Sequence, residues 1–475
     1  MSEIKQEILS QLQTSVRGEV ISPDASGYDD SRKIWNGMID RRPAAIVRCI
    51  GTADVVTCVN FARDHEIPFS IRAGGHNIAG LAVADDAMMI DLSLMRGALV
   101  NHDSQTVHAQ PGATLGDIDR ETQLHGLAAV LGFVSNTGAA GLTLGGGFGY
   151  LTRKYGWTCD NVVTMDVVTA SGELVRASES ENADLFWGLR GGGGNFGVVT
   201  NIEYRLYLVG PEITGGVIAW RGEDADSVLE MFRNVVADAP REMTCASMMR
   251  KAPPAPWLPK EMHGEPIVGI VICHTGTADQ VEKNLAAIKS FGSPVGDVVQ
   301  RRPYTQQQSL LDATQPNGRR YYWKSEYLSG LEAGTLAEYR KHGDAIQSPH
   351  SAAILFALDG ALNELSGDHS PMGNRDARMV FNMTASWDSA NEDETHTAWA
   401  RDAWSGLREF STGGTYVNFL TEDDGDDRIR EAYGDSYDRL VDIKTSWDPN
   451  NVLAITKTSL RVPKRSLINS RSVER

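Results

Sequence analysis

Cysteine is scarce in this chain of 475 residues. Cys49, Cys58, Cys159, Cys245 and Cys273 are scattered without CxxC spacing, which gives neither a disulfide framework nor a zinc site, and they read as reduced and mostly structural. Long apolar runs are missing too. No stretch approaches the roughly 20 residues of a membrane helix, and Met1-Ser2-Glu3-Ile4-Lys5-Gln6 lacks the basic-then-apolar order of a signal peptide. The expected setting is cytoplasmic, with no membrane partner. Basic residues are outnumbered, 45 Lys and Arg against 62 Asp and Glu, for a formal net charge of -17. That balance argues against a nucleic-acid partner, which needs a basic face, and is read as plain solubility. The histidines form no HExxH motif and no GxSxG elbow occurs, so no metal site is expected and triad hydrolysis is unsupported.

Glycine, in contrast, is plentiful and clustered. The run Ile71-Arg72-Ala73-Gly74-Gly75-His76-Asn77-Ile78-Ala79-Gly80 sets one histidine in a glycine-rich loop directly after an apolar strand. Glycine takes backbone angles that a Cβ forbids, so successive N–H groups can converge on an anion. The loop therefore suits a phosphate-bearing cofactor. Two further runs follow, Gly138-Ala139-Ala140-Gly141-Leu142-Thr143-Leu144-Gly145-Gly146-Gly147-Phe148-Gly149 and Arg190-Gly191-Gly192-Gly193-Gly194-Asn195-Phe196-Gly197. None opens a helix after a first strand with an acidic residue roughly 20 positions on, so a nicotinamide-type dinucleotide fold is the poorer fit.

With 41% hydrophobic residues, the chain is expected to form two or three full domains. Its first 210 residues alternate strands and helices. Pro43 to Cys49, Ile67 to Arg72, Met88 to Leu92, Thr106 to Gln110, Val162 to Thr169 and Val198 to Tyr204 read as strands. Thr52 and Thr114 read as helix N-caps, and Ala170-Ser171-Gly172-Glu173 as a hairpin turn. Farther on, Ile213 to Trp220, Ile267 to His274, Ala352 to Asp359 and Met379 to Trp387 read as strands, while Ser227 to Ala237, Gln280 to Ser290 and Glu394 to Phe410 read as amphipathic helices. Strands and helices without βαβ order suit an α+β domain. The Pro-rich segment from Ala252 to Pro259 is expected as a surface loop near a pocket rim. The acidic run Glu422-Asp423-Asp424-Gly425-Asp426-Asp427 lacks EF-hand spacing and is expected to be a solvated loop.

Together with Tyr416-Val417-Asn418-Phe419 and Trp447-Asp448-Pro449-Asn450-Asn451, the glycine loops resemble, in order and over about residues 15 to 460, the FAD-linked oxidase superfamily with its PCMH/VAO-type FAD-binding fold. The nearest branch is the berberine bridge enzyme-like group, its bacterial members above all. This resemblance implies an α+β protein whose FAD-binding domain is split in sequence, with an N-terminal part at 1–210 and a C-terminal return at 414–460. An antiparallel-sheet substrate domain, 211–413, is inserted between them, and 461–475 is expected to be a disordered tail. His76 matches the family histidine bonded to the flavin C8α methyl, a role open to a nucleophilic neutral imidazole; the alternative is a histidine that only hydrogen-bonds FAD. Many relatives carry a second, cysteine anchor, but the matching position here is Val134, so a single covalent link is implied. Arg72, Gly74, Gly75, Asn77 and Gly80 would cradle the pyrophosphate. Gly138, Gly141, Gly145 and the Gly197-Val198 backbone would line the FAD groove. Tyr416 and Asn418 match a YxN motif beside the isoalloxazine, or are a buried pair that satisfy each other.

On the substrate side the sequence departs from its relatives. Phe148 and Phe419 stand where many members have tyrosine, removing a phenolate base. Asn382 stands where relatives often place Gln or Glu, and a neutral amide is no strong base. Ile354, Phe356 and Leu358 read as inward positions where bacterial relatives can carry a carboxylate or lysine. Tyr150, Asn382, Tyr416 and Lys324 remain as polar candidates. Thr137 lies in the stretch that, in relatives, passes close to flavin N5; it is either a participant in oxygen chemistry or a backbone-satisfied turn residue. The implied activity is oxidation of an alcohol or activated C–H of a small molecule, with molecular oxygen as acceptor and hydrogen peroxide as product, by a monomer or homodimer. The alternatives are an oxygenase in which oxygen reacts at flavin N5, aided by Thr137, and a non-catalytic flavin-binding protein.

Overall fold

The computed structural model describes residues 6–456, so the tail expected at 461–475 and the last residues of the 414–460 return lie outside the described residues. Glu19–Ile21 (β1), Ala45–Arg48 (β2), Phe69–Arg72 (β3) and Met88–Asp91 (β4) form a small sheet in the order β1-β2-β4-β3, with β4 parallel to both its neighbours. Every residue of β4 is buried, as its uninterrupted apolar run requires of a central parallel strand. Helix Thr52–Asp64 (α1) packs Val55, Cys58, Val59 and Ala62 toward this sheet. Thr52 is its first residue rather than its N-cap, because Gly51 in extended conformation takes that place.

A second sheet is antiparallel throughout. Ala98–Asn101 (β5), Thr106–Ala109 (β6), Val162–Val168 (β7), Leu174–Ser178 (β8) and Val198–Arg205 (β9) lie in the order β5-β6-β9-β7-β8. Helix Leu115–Thr122 (α2) starts in a capping box in which Thr114 and Asp117 satisfy each other's main-chain N–H. Two short helices, Ala139–Leu144 (α3) and Ala183–Leu189 (α4), follow the second glycine run's first residue and precede the third run.

The third sheet has eight strands, again antiparallel. Glu212–Arg221 (β10), Met243–Lys251 (β11), Pro266–His274 (β12), Gly296–Asp297 (β13), Gln300–Pro303 (β14), Arg320–Leu328 (β15), Ala352–Ala357 (β16) and Met379–Trp387 (β17) run in the order β13-β10-β12-β11-β16-β17-β15, with β14 also on β10. Side chains alternate across it. Trp220, Met249, Ala353, Phe381, Met383 and Trp387 point to a core shared with helices Ala225–Ala237 (α5), Ala278–Lys289 (α6), Ala333–Asp344 (α7) and Asp393–Leu407 (α8). On the other face, Arg250 of β11 is in register with Ala352 of β16, Ala352 with Thr384 of β17, and Thr384 with Trp323 of β15. One step along, Met248, Ile354 and Asn382 form a parallel row. This face is the roof of the site.

The chain then returns to the second sheet. Asp426–Tyr433 (α9) and Tyr437–Trp447 (α10) bury Ile429, Tyr433, Leu440 and Ile443 in one core with Leu185, Phe186 and Phe196. All five cysteines are buried and free. No described helix is long and apolar enough to cross a membrane, and the described residues hold no cluster of three or more metal-ligating side chains.

Candidate active site

Arg72 ends β3 directly opposite Asp91 on β4. Its guanidinium donates to both carboxylate oxygens, at 2.9 and 2.5 Å, and to the main-chain oxygens of Ser31 and Lys33. Asp91 is wholly buried and needs this cation, since an uncompensated charge there would be costly. Arg72 therefore fastens the strand ends beneath the loop instead of cradling a pyrophosphate as expected. Gly74, two residues on, lies against Gly138. A Cβ on Gly74 would stand 2.4 Å from the Gly138 Cα, and one on Gly138 would stand 2.6 Å from the Gly74 Cα. Only glycine at both positions lets the first and second glycine runs touch. Gly80 also departs from expectation. At φ +73° it closes a turn onto the Asn77 carbonyl, against the Ile39 side chain, and it does not line the cavity described below. Asn77 does line it, while its Oδ1 accepts from the Leu81 N–H.

The His76 ring stacks on Trp35, centroids 5.1 Å apart at 16°, and Trp35 stacks in turn on Tyr321 at 3.8 Å and 11°. Burial in these surroundings pushes the imidazole pKa down to about 4, a main-chain contact with Asn136 only partly opposing it. At neutral pH His76 is therefore uncharged and keeps a nitrogen lone pair.

Around His76 the three glycine runs enclose a cavity of about 340 Å³. Gly74 and Gly75 line it from the first run, Thr137, Gly138, Gly141 and Gly145 from the second, and Gly197 and Val198 from the third. A Cβ on Gly141 or on neighbouring Gly194 would meet no heavy atom within 4 Å, so main chain borders open space at both. Three buried polar atoms on the wall, Trp323 Nε1, Asn382 Oδ1 and Gln315 Oε1, have no partner among the described residues. Buried polar groups are rarely left unpaired. A long, narrow, partly polar ligand with an anionic centre would satisfy such a cradle, and a flavin dinucleotide fits it.

Tyr416 reaches the cavity wall from the chain's return. Its hydroxyl accepts from the Gly147 N–H at 2.9 Å and from Asn418 Nδ2 at 2.8 Å, while Asn418 Nδ2 also donates to the Leu142 carbonyl. Burial raises the Tyr416 pKa above the ordinary phenol range, and through these bonds the tyrosine fastens the second glycine run. Lys444 performs the same service for the third run. Its Nζ donates to the Asn195 and Leu453 carbonyls and to Asp448 Oδ2 at 2.5 Å, and Asp448 accepts the Val452 and Leu453 N–H groups. The Trp-Asp-Pro-Asn-Asn segment thus has a structural explanation.

The roof and its surroundings are apolar, with Phe148, Phe419, Met248, Ile354 and Phe356 on the wall, and Val134 where a cysteine would sit. Asn382 lines the cavity with its side-chain Oδ1 unpartnered among the described residues. Three other expectations fail. Tyr150 is fully buried against Phe133 beside Gln307 and does not reach the cavity. Leu358 is packed in the core behind. Lys324 points away from Trp323, to the opposite face of β15, where it binds Thr421, Asp423 and Asp424 at 2.9, 3.2 and 2.7 Å. The acidic run is accordingly not a merely solvated loop. Asp423, which also accepts from Tyr322 and Arg401, has its carboxyl held well below the usual range by these donors despite its burial. The Pro-rich loop buries Ala252 and Leu258 against Met262 and lies away from the cavity wall.

Residues 43–178 match the family model of an FAD binding domain, and residues 415–457 match that of berberine and berberine-like proteins. Over 452 residues the chain is 30% identical to the (R)-6-hydroxynicotine oxidase of Paenarthrobacter nicotinovorans, covering 92% of this chain and 95% of that one. This chain belongs to the berberine bridge enzyme-like FAD-linked oxidoreductases. Among solved structures, 6-hydroxy-D-nicotine oxidase from Arthrobacter nicotinovorans superposes with a TM-score of 0.84 at 28% identity, covering 94% of this chain and 98% of that one. A berberine bridge enzyme-like protein of Physcomitrella patens shares the fold at 22% identity, with a TM-score of 0.86 and coverage of 96% and 99%. As a berberine bridge enzyme-like oxidoreductase with the PCMH/VAO-type fold, the protein has an FAD-binding domain, and the glycine cavity is the candidate site for that cofactor. Sequence reasoning missed four side chains of this site. Trp35 and Trp323 lie far from any glycine run, Arg250 belongs to a strand that its own pattern does not reveal, and His350 sits in the turn before β16.

Proposed function

We propose that this FAD-linked oxidoreductase carries its cofactor on a single bond to His76 and oxidises an alcohol or activated C–H of a small, mostly apolar organic molecule, with oxygen as the final acceptor and hydrogen peroxide as co-product. Bound FAD supplies the hydride acceptor and the route of electrons to oxygen. The observation that carries this reading is His76 itself. It is an imidazole held neutral by burial, its ring stacked on Trp35, and it lines a cavity that all three glycine runs also line. Glycine N–H groups of the first two runs would hold the pyrophosphate. Val134 offers no second nucleophile. Phe148, Phe419 and Trp323 would keep water from the reacting carbon, and the unpaired Asn382 amide would orient the substrate by a hydrogen bond without accepting its proton. His350 is a further titrating side chain of the wall. Its Nε2 is 3.0 Å from Asp388 Oδ2, and burial, with Arg319 adding to it, lowers its pKa so that it starts out neutral. Residues 1–210 and 414–460 are assigned to the cofactor part and 211–413 to the roof.

Acid precipitation tests the tether. Yellow colour should stay in the wild-type pellet and pass to the supernatant from His76→Ala; colour released from both would leave His76 as a mere neighbour of FAD. A second reading is favoured by Thr137, whose hydroxyl borders the cavity with no hydrogen bond to any described residue, unlike a satisfied turn threonine. There it would assist oxygen insertion into the substrate. Peroxide formed one-for-one with product excludes that reading.

A further inference from the structure

Arg250 is the cation of the roof that no carboxylate answers. It projects from β11 into the cavity and is 8% exposed. Its Nε donates to the Lys251 carbonyl at 3.1 Å and its Nη2 to the Pro349 carbonyl at 3.2 Å. No acidic side chain among the described residues lies within ion-pair distance. The nearby Asp388 is already shared by Arg319 and His350, at 3.0 Å to each. Of the five N–H donors of a guanidinium, the two on Nη1 and one on Nη2 have no partner among the described residues. The two carbonyl bonds hold the planar group still while these donors remain free. Buried charges are normally paired, because burying one alone costs several kcal/mol, and burial here lowers the Arg250 pKa to about 10, with Arg319 adding to the effect.

Its position gives the free charge a meaning. Arg250, Ala352, Thr384 and Trp323 form one row across four strands, and Trp323 meets Trp35, the ring stacked on His76, at 5.4 Å. Strand spacing puts Arg250 about 14 Å across the roof from Trp323. The intervening wall is mostly apolar, with Ala352, Ile354 and Phe356, and Asn382 in the adjacent row is its polar group, while Thr384 spends its hydroxyl on the Ala352 carbonyl. A molecule lying under the roof would thus have an apolar body and one end at a fixed, planar, unpaired cation. The match to such a donor edge is a carboxylate, which takes two parallel N–H bonds from Arg.

We propose that the substrate is an organic carboxylic acid, its carboxylate seated on Arg250 and its oxidisable carbon toward the His76 end of the cavity. This inference rests on the reading of the cavity as the site of substrate oxidation and names the class of molecule it takes.

The test titrates the holoenzyme with benzoate, phenylacetate and 3-phenylpropionate, and with the three matching amides, by calorimetry and by the change in flavin absorbance. In the wild type at least one acid should bind about tenfold or more tightly than its amide. Arg250→Gln should bring acid and amide to equal affinity, and Arg250→Lys should retain part of the preference. A general loosening of the roof would weaken both ligands together and leave their ratio untouched, so the ratio isolates the charge. If Gln abolishes all binding, the ratio in the Lys variant decides: preference retained supports the assignment, preference lost overturns it. The assignment also falls if no acid outbinds its amide in the wild type, or if Arg250→Gln keeps the preference. Flavin content of the same samples separates the two readings, since a colourless protein would refute the cofactor site while calorimetry still reported on Arg250.

Discussion

Lys444→Met removes a charge from a place that water does not reach. Lys444 is 1% exposed and Asp448 0% exposed, with their charged atoms 2.5 Å apart. Burial lowers the lysine's proton affinity and Asp448 only partly offsets this, so the lysine's charge depends on its partner. Methionine has nearly the same volume, and the packing cost of the exchange should stay below roughly 1.5 kcal/mol. What remains is Asp448, still held by the Val452 and Leu453 N–H groups but without its cation, which for a broken buried pair costs about 3–5 kcal/mol. The Asn195 and Leu453 carbonyls lose a donor as well. Urea unfolding followed by tryptophan emission should give a lower midpoint corresponding to that loss. Flavin should leave the variant at a lower urea concentration than the one that unfolds it, because Asn195 belongs to the third glycine run. Adding Asp448→Leu should recover part of the stability, with the two N–H groups the residual deficit. A single variant within 1 kcal/mol of wild type, or a double variant no better than the single, would refute this account of the pair.

Gly141→Leu places its side chain in open space, so the far-ultraviolet circular dichroism should match wild type while the purified protein is colourless; normal flavin content would show that the cradle lies elsewhere. Gly74→Ala meets the Gly138 main chain at 2.4 Å and should cost about 1–3 kcal/mol or more, read as a drop in Tm, with flavin lost as the two runs separate. Asp119 is buried with both carboxyl oxygens unpartnered among the described residues, and burial raises its pKa well above the usual range. The folded protein therefore keeps a proton that the unfolded chain releases, and the stability present below about pH 4 is lost as pH rises toward the folded pKa. Asp119→Asn should thus have the higher Tm at pH 7.5, with the gap closing toward pH 4; a gap independent of pH would show that Asp119 does not titrate between the two states.

Strands whose residues alternate or run apolar, such as Met88–Asp91 and Met379–Trp387, were legible because periodicity follows from which faces are covered. Met243–Lys251 was not, since it is central in the large sheet and buried on nearly every residue, leaving no alternation to read. Arg320–Leu328 was hidden by Lys324 and Glu326, which look like surface charges. Both are buried on the far face of the strand and answered by Asp424 and Arg428, about a hundred residues away. The same long-range pairing explains why the acidic run was misread. In the site, motif order located the glycine cradle and His76. It misplaced Arg72, because the need of buried Asp91 for a cation is invisible in a linear motif. Tyr150 was expected in the site and Arg250 was not, because which side chains face the cavity is set by tertiary packing that no linear motif carries.

The core that supports the glycine runs is finished by residues from the far end of the chain, since Ile429, Leu440 and Ile443 pack onto Leu185, Phe186 and Phe196. Elongation at roughly 5–20 residues per second leaves an interval on the order of 10–50 s between the emergence of the third glycine run and that of Lys444. Throughout that interval the nascent chain exposes the aromatic side chains of α4 and has no closed cavity to receive a cofactor. On this reasoning flavin loading would wait until Lys444 has emerged. Any product released before Lys444 would be a colourless client for chaperones and proteases, and the colour of the protein in the cell reports on synthesis carried to completion.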